Sequence, residues 1–225
     1  MPVVLALDTA GSACSAAVGR DGVVLAYERR EMRHGHAEAL LPMIDRVMTA
    51  AGLAATDIDT VAVSTGPGGF TGIRAGLAGA QGLALAIDAR LIGVSSFAAV
   101  AALLAPRAET PLLVALDSRR ADPYVQLFDA GHEPASEPAA VPPEHLAAHV
   151  AASIGGARLR IAGDAAEAAA AALVDRGHLE VLADTAPDAR GVLAAAFHQV
   201  AAIIETSARP LYLRPPDVSF PKARS

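Results

Sequence analysis

Residues 61–87, VAVSTGPGGFTGIRAGLAGAQGLALAI, constrain the fold of this chain more than any other stretch. A short apolar strand runs into Ser64-Thr65-Gly66-Pro67-Gly68-Gly69-Phe70-Thr71-Gly72, and that turn leads into a helix with small residues along one side. Glycine opens backbone angles closed to other residues and lets amide groups turn outward. Such a turn either binds an anion at the helix N-terminus or makes a tight corner, and the residues leave both open. It is not a P-loop, because no Lys-Ser or Lys-Thr follows its last glycine, and it is not a G-x-G-x-x-G dinucleotide fingerprint.

The helix after the turn carries Gly72, Ala75, Gly76, Gly79, Ala80 and Gly82. Each interior glycine costs about 1 kcal/mol against alanine, so a close neighbour must recover that loss. Small residues three and four apart let another helix approach closely. That neighbour is the helix's own domain, another subunit, or both on opposite faces. The segment from His36 to Gly52 offers an apolar complement, with Leu40, Leu41, Ile44, Val47 and Met48 spanning an arc broader than one sheet contact uses. Together with Gly72, Ala75, Gly76, Gly79 and Ala80 they form the predicted partner surface, which a Gly76→Leu or Ala80→Leu substitution would block by overpacking.

Val3 to Leu7, Ala13 to Val18 and Val23 to Glu28 have the patterns of three strands, the last two joined across Arg20-Asp21-Gly22, a hairpin signal. The helix ending at Gly52, the strand and corner, a strand at Arg90 to Val94 and a helix capped by Ser95 or Ser96 complete a first unit. Then the opening recurs: Pro111-Leu-Leu-Val-Ala-Leu-Asp117-Ser118 repeats the pattern of Val3 to Thr9, and Tyr124 to Phe128 supplies the next strand. The repetition suggests a duplicated α/β unit, two mixed-sheet lobes facing a cleft, with boundaries 1–106 and 107–225. His132 to Pro143 has a loop composition. A helix at 144–152, a strand at 158–162, an alanine-rich helix at 165–175, a strand near 179–182 and a last helix at 191–205 follow. The tail, Arg209-Pro-Leu-Tyr-Leu-Arg214-Pro-Pro, is extended by its prolines, and its alternating side chains predict that Tyr212 to Arg214 packs back on the body.

At 225 residues the chain can bury a sizeable core. No segment reaches eighteen consecutive apolar residues, and the N-terminus lacks a basic region, so neither a membrane span nor a signal peptide is expected. One cysteine, Cys14, sits in a strand pattern, reads as an inert buried thiol and fits a reducing cytoplasm. A net charge of −6 argues against a free-standing nucleic-acid binder, although Arg209, Arg214, Lys222 and Arg224 against Asp217 leave the tail basic. His34 and His36, two residues apart, cannot share a helix face as a metal-binding pair and read as polar loop and cap residues. Asp8, ending the first strand, and Thr9 are the candidates for contact with a Mg-nucleotide. Ala10 follows them where close approach to phosphate would need glycine, and no Lys or Arg lies in that turn.

LALDTAGSACSAAV, HGHAEALLPMI, STGPGGFTGIRAGLAGAQGLA, ALDSRRADPYVQLF and PLYLR, in this order, resemble the bacterial TsaB (YeaZ) family of tRNA threonylcarbamoyladenosine biosynthesis proteins. The family is also grouped with the peptidase M22, or glycoprotease-like, proteins. The resemblance implies the actin-like ATPase superfamily (ASKHA) fold: α/β, two RNase-H-like lobes with mixed β-sheets flanked by helices. It implies a non-catalytic paralogue of TsaD that pairs with TsaD and works with the ATPase TsaE. Together they place threonylcarbamoyl on the adenosine next to the tRNA anticodon. ATP and metal would belong to the partner subunits, tRNA would be met only through the complex, and the chain alone would form a homodimer. Transferase, peptidase and metal-dependent activity are not expected of the isolated chain. The competing reading is a small-molecule kinase or ATPase of the same superfamily using Asp8 and the glycine corner. Asp117-Ser-Arg-Arg-Ala-Asp122-Pro123 departs from the family's Asp-Ala-Arg pattern ending in Glu-Val-Tyr.

Overall fold

The computed structural model describes residues 2–105, 109–154, 158–183, 185–201 and 208–214. The expected lobe boundary at 106/107, the end of the last helix at 205 and the tail residues Asp217, Lys222 and Arg224 lie outside them.

The first unit is built on β1 (Val3–Asp8), every residue of which is buried. Alternation along a strand sends Val3, Leu5 and Leu7 to one face and Val4 and Ala6 to the other. β2 (Ala13–Arg20) and β3 (Val23–Glu31) pair antiparallel beside it across the Asp21-Gly22 turn. α1 (His36–Ala51) ends where Gly52 takes φ 66°, a left-handed cap that returns its N–H to the last turn. β4 (Thr60–Ser64), α2 (Phe70–Ile87) and β5 (Arg90–Val94) follow, both strands parallel to β1, giving the order β3-β2-β1-β4-β5. By length and composition α2 is apolar enough to span a membrane, but here one of its faces is buried against β4 and β1.

α3 (Ser96–Ala102), capped by the Ser95 hydroxyl accepting the Ala98 N–H, leads to the second unit. β6 (Leu112–Leu116) and β7 (Tyr124–Phe128) are antiparallel, as expected. β8 (Ala139–Ala140) pairs with Tyr124 and Val125 inside the stretch expected to be loop. Two residues between prolines carry too little pattern to register as a strand, yet they suffice at a sheet edge. α4 (Pro143–Ile154), β9 (Leu159–Ala162), α5 (Ala166–Ala172) and β10 (Leu179–Val181) give the order β10-β9-β6-β7-β8. Read from the other edge, this is the first sheet's order with each strand replaced by its repeat.

The last helix, α6 (Ala189–Ala201), follows the second unit in sequence but packs on the first sheet. Val192, Leu193 and Ala196 join Val4, Ala6 and Ile92 there, opposite the face that α1 and α2 cover. Gly191 lets α6 cross α3 closely, since a Cβ there would lie 2.2 Å from the Ala99 carbonyl oxygen. Asp188 fixes the start of α6: its carboxylate accepts from the Tyr27 hydroxyl at 3.0 Å and from Arg190 Nη2 at 2.6 Å, and Ser15 Oγ accepts the Ala189 N–H. Burial would raise the Asp188 pKa, but the Arg190 hydrogen bonds outweigh it and hold the carboxyl below its usual range. Partial burial, together with that carboxylate, pushes the Tyr27 hydroxyl up to about 12.

Candidate functional site

β4 delivers the glycine corner to the end of β1, and the corner closes over it. Gly66 takes φ +94°, open to glycine without strain, and a Cβ there would meet the Ile73 side chain at 2.6 Å. Beyond it, the corner and α2 press on the backbone of Thr9 and Ala10. A Cβ on Gly68 would lie 2.3 Å from the Ala10 carbonyl oxygen, one on Gly72 2.1 Å from the Thr9 carbonyl oxygen, and one on Gly76 2.3 Å from Thr9 Oγ1. The Gly69 N–H donates to the Ala10 carbonyl at 2.7 Å, and Thr9 Oγ1 donates to the Gly72 carbonyl at 2.7 Å. The glycines are there so that the start of α2 can touch the β1 turn.

This closure changes the reading of Asp8 and Thr9. Both are buried, and Thr9 spends its hydroxyl on α2. Asp8 Oδ1 accepts the Ala10 N–H at 3.1 Å, while buried Oδ2 has no hydrogen-bond partner among the described residues. Burial, reinforced by Asp188 and offset by Ser64, Ala10 and Arg29, pushes the Asp8 carboxyl up to about 6. Asp8 and Thr9, the candidates for nucleotide contact, are thus both buried, Thr9 under the glycines of α2 and Asp8 on the other face of the sheet, beside Ser64 and Asp188.

The partner surface is corrected in the same way. Leu40, Ile44, Val47 and Met48 are buried in the chain's own core with Met43, and Gly72, Gly76 and Ala80 face the β1 side of α2. Gly79 receives Leu40, whose Cδ2 would be 3.0 Å from an added Cβ, so that glycine serves the α1–α2 crossing. Of the ten residues Ala75 and Gly79 are half-buried, and Leu41 alone is exposed, at 58%. The face α2 turns outward carries Ala78, Gly82 and Leu85, with Leu85 85% exposed and nothing within 4 Å of a Cβ on Gly82.

Two grooves flank the corner, and Arg119 stands at both. One, of about 180 Å³, runs between Gly11, Ser12 and Gly69 on the first lobe and Asp117, Arg119 and Asp164 on the second. The other, of about 480 Å³, is lined by Arg33, His34, His36, Thr71 and Arg119. Arg119 Nη2 would lie 3.3 Å from a Cβ on Gly69. Its backbone sits at φ 60°, a strained position for a long side chain, held by its N–H donating to Asp117 Oδ1 at 2.7 Å. The Asp117 N–H donates in turn to Asp164 Oδ1 at 2.8 Å; burial, with the Asp117 charge, raises the Asp164 pKa.

Arg119 was not singled out from the sequence, but the repeat marks its place. Asp117-Ser118-Arg119 matches Asp8-Thr9-Ala10, and each aspartate accepts the N–H two residues on. His36, read as a polar cap, is buried with Nε2 unpartnered among the described residues, and burial together with Arg119 and His34 lowers its pKa. Burial pushes the Cys14 thiol up to about 11, consistent with an inert thiol. Among the described residues no three His, Cys, Asp or Glu side chains converge as a metal site.

Residues 30–150 match the family model described as TsaD: tRNA N6-adenosine threonylcarbamoyltransferase. The structure described as YeaZ from Pseudomonas aeruginosa superposes with a TM-score of 0.80 at 30% identity, covering 95% of this chain and 100% of that one. The chain belongs to the TsaB/YeaZ family. The tRNA threonylcarbamoyladenosine biosynthesis protein TsaB of Escherichia coli is 40% identical over 122 residues, 54% of this chain and 52% of that protein. The chain spans about half the length of the curated TsaB relatives it matches. A ROK hexokinase from Thermus thermophilus shares the architecture at 15% identity with a TM-score of 0.55, covering 89% of this chain and 99% of that one. The fold is that of the actin-like ATPase superfamily, two five-stranded mixed sheets flanked by helices.

Proposed function

We propose that this chain is a non-catalytic assembly subunit in the formation of threonylcarbamoyladenosine next to the tRNA anticodon. It pairs with a TsaD-type catalytic subunit and works with a TsaE-type ATPase. ATP and metal are held by those partners, tRNA is met only through the complex, and the setting is cytoplasmic. The name of the Escherichia coli relative supports the pathway. The observation that carries the role is the outward face of α2: Ala78, Gly82 and Leu85, at helical spacing on one side, leave a leucine 85% exposed beside small residues, with Leu41 of α1 also exposed. Small residues let a partner helix come close, and an equivalent pair of helices on a paralogue would complete a four-helix contact. A second copy uses the same face when the paralogue is absent. The kinase alternative asks Asp8 to reach a Mg-nucleotide, and its burial speaks against that.

Reconstitution tests the reading. Modification of tRNA by purified TsaD- and TsaE-type proteins is expected to require this chain, and the chain alone with Mg-ATP is expected to show no turnover. Leu85→Glu is expected to weaken association with the TsaD-type subunit about tenfold or more, measured by calorimetry, with an unchanged circular dichroism spectrum. Full activity without the chain, or ATP turnover by the chain alone, would overturn the role. Unaltered binding by the folded Leu85→Glu variant would move the interface elsewhere.

A further inference from the structure

Residues 208–214 lie across both lobes while belonging to neither sheet. Ala208 packs on the core beneath α1 and α2, whereas Leu211 and Leu213 pack on the cluster holding Phe97 and Leu116. The Leu211 N–H donates to the Thr65 carbonyl at 2.8 Å, fastening the segment where β4 enters the corner. Tyr212 lies with its ring centroid 5.2 Å from that of Phe70, and its hydroxyl accepts from Arg74 Nε at 3.0 Å. The Arg74 guanidinium sits 3.5 Å over the Phe70 ring, so a three-part stack covers the first turns of α2. On the other lobe Arg214 pairs with Asp122, whose carbonyl accepts the Ser118 hydroxyl at 2.6 Å. Beneath the segment is a groove of about 130 Å³ lined by Pro67, Gly68 and Phe70 on one side and Ser118, Arg120 and Tyr124 on the other.

We infer that residues 208–214 are a strap that holds the first turn of α2 against the 118–122 loop, so that its release loosens both sides of the cleft together. Its attachments are of a kind that can be peeled. Tyr212 is 40% exposed, the Arg214 and Asp122 side chains are 21% and 29% exposed, and partly solvated ion pairs and stacks are individually weak. No strand pairing has to break for the strap to leave, since none of its residues is in a ladder. Besides the Leu211 hydrogen bond to Thr65 and the packing of Leu211 and Leu213, it holds Phe70 and Arg74, which begin α2, and Asp122, which closes the loop carrying Arg119. A pull on the chain beyond Arg214 is thereby transmitted to α2 through Tyr212 and to the loop carrying Arg119 through Arg214.

Hydrogen exchange on the whole chain tests this, reading protection and not partner binding, so its outcome is independent of the assembly role. In the Tyr212→Ala, Arg214→Ala double variant, amide exchange in 66–74 and in 117–124 is expected to rise together by about tenfold or more, with β1 and β6 amides unchanged. Tyr212→Phe, which keeps the ring and loses the Arg74 hydrogen bond, is expected to give a smaller rise in the same two segments. An increase confined to 208–214, or to one side of the cleft, or spread equally through β1 and β6, would overturn the strap.

Discussion

Replacing Asp8 by asparagine is expected to stabilise this protein at about pH 8 and to have almost no effect below about pH 4. The wild-type carboxyl is buried with one oxygen unpartnered, and burial pushes its pKa from 3.8 to about 6. A folded-state pKa above the unfolded value means the folded protein binds the proton more tightly. Stability is therefore highest where the group is protonated in both states, falls as pH rises through the window from 3.8 to about 6, and stays reduced above it. A shift of about two units corresponds to about 3 kcal/mol, or a Tm difference of very roughly 5–10 °C in a chain of this size. Asparagine keeps the oxygen that accepts the Ala10 N–H and carries no charge to desolvate. Asp188 has the opposite slope, losing stability as pH falls, and because its charge helps raise the Asp8 pKa, the gain from asparagine includes relief of that repulsion. Thermal unfolding of both from pH 4 to pH 8 reads the result. Equal Tm values at pH 8, or a gain that does not vary with pH, would show that Asp8 is solvated in the folded state.

Gly72→Ala and Gly82→Ala, one residue type in one helix, are expected to move stability in opposite directions. At Gly72 the new methyl would fall 2.1 Å from the Thr9 carbonyl oxygen, a backbone atom whose neighbour is tied to α2 by the Thr9 hydroxyl. The helix must lift off the β1 turn, and a loss of about 3 kcal/mol or more follows. At Gly82 nothing lies within 4 Å, so alanine adds only helix propensity and a gain of about 1 kcal/mol. Denaturant unfolding of the two variants separates the cases, and a Gly72→Ala protein as stable as wild type would mean that the corner is not closed on Thr9. The same geometry revises Gly76→Leu. Chosen from sequence as a probe of subunit association, it places a side chain 2.3 Å from Thr9 Oγ1 and is expected to disturb the fold before it disturbs a partner.

Much of the architecture is local and was therefore legible. Short apolar runs located β1, β5 and β7; a 3.6-residue spacing stopped by Gly52 bounded α1; Ser95 or Ser96 marked the start of α3, and Ser95 is the cap. The repeated strand ending in Asp-Thr or Asp-Ser indicated two units of one topology, which the two sheet orders match. The tail's alternation of apolar and polar side chains located a segment that packs, and Leu211 to Arg214 does. By contrast α6, expected within the second unit, lies on the first sheet, because an apolar helix stripe is satisfied by any open sheet face of the right width.

Sequence by itself determined which residues share a face; tertiary structure decided what each face meets. Leu40, Ile44, Val47 and Met48 form a stripe in either case, but only the packed lobe turns that stripe inward and leaves Leu41 and Leu85 outside. Small residues every third or fourth position call for a close neighbour without naming it, and here the neighbour is the turn at Thr9, 63 residues upstream of Gly72. Asp8 is buried as well, and its position at a strand end is visible in the chain while its loss of solvent is not. Periodicity is a property of the residues in order, whereas burial depends on which distant surface closes over them, and that surface is chosen by the shape of the assembled lobes.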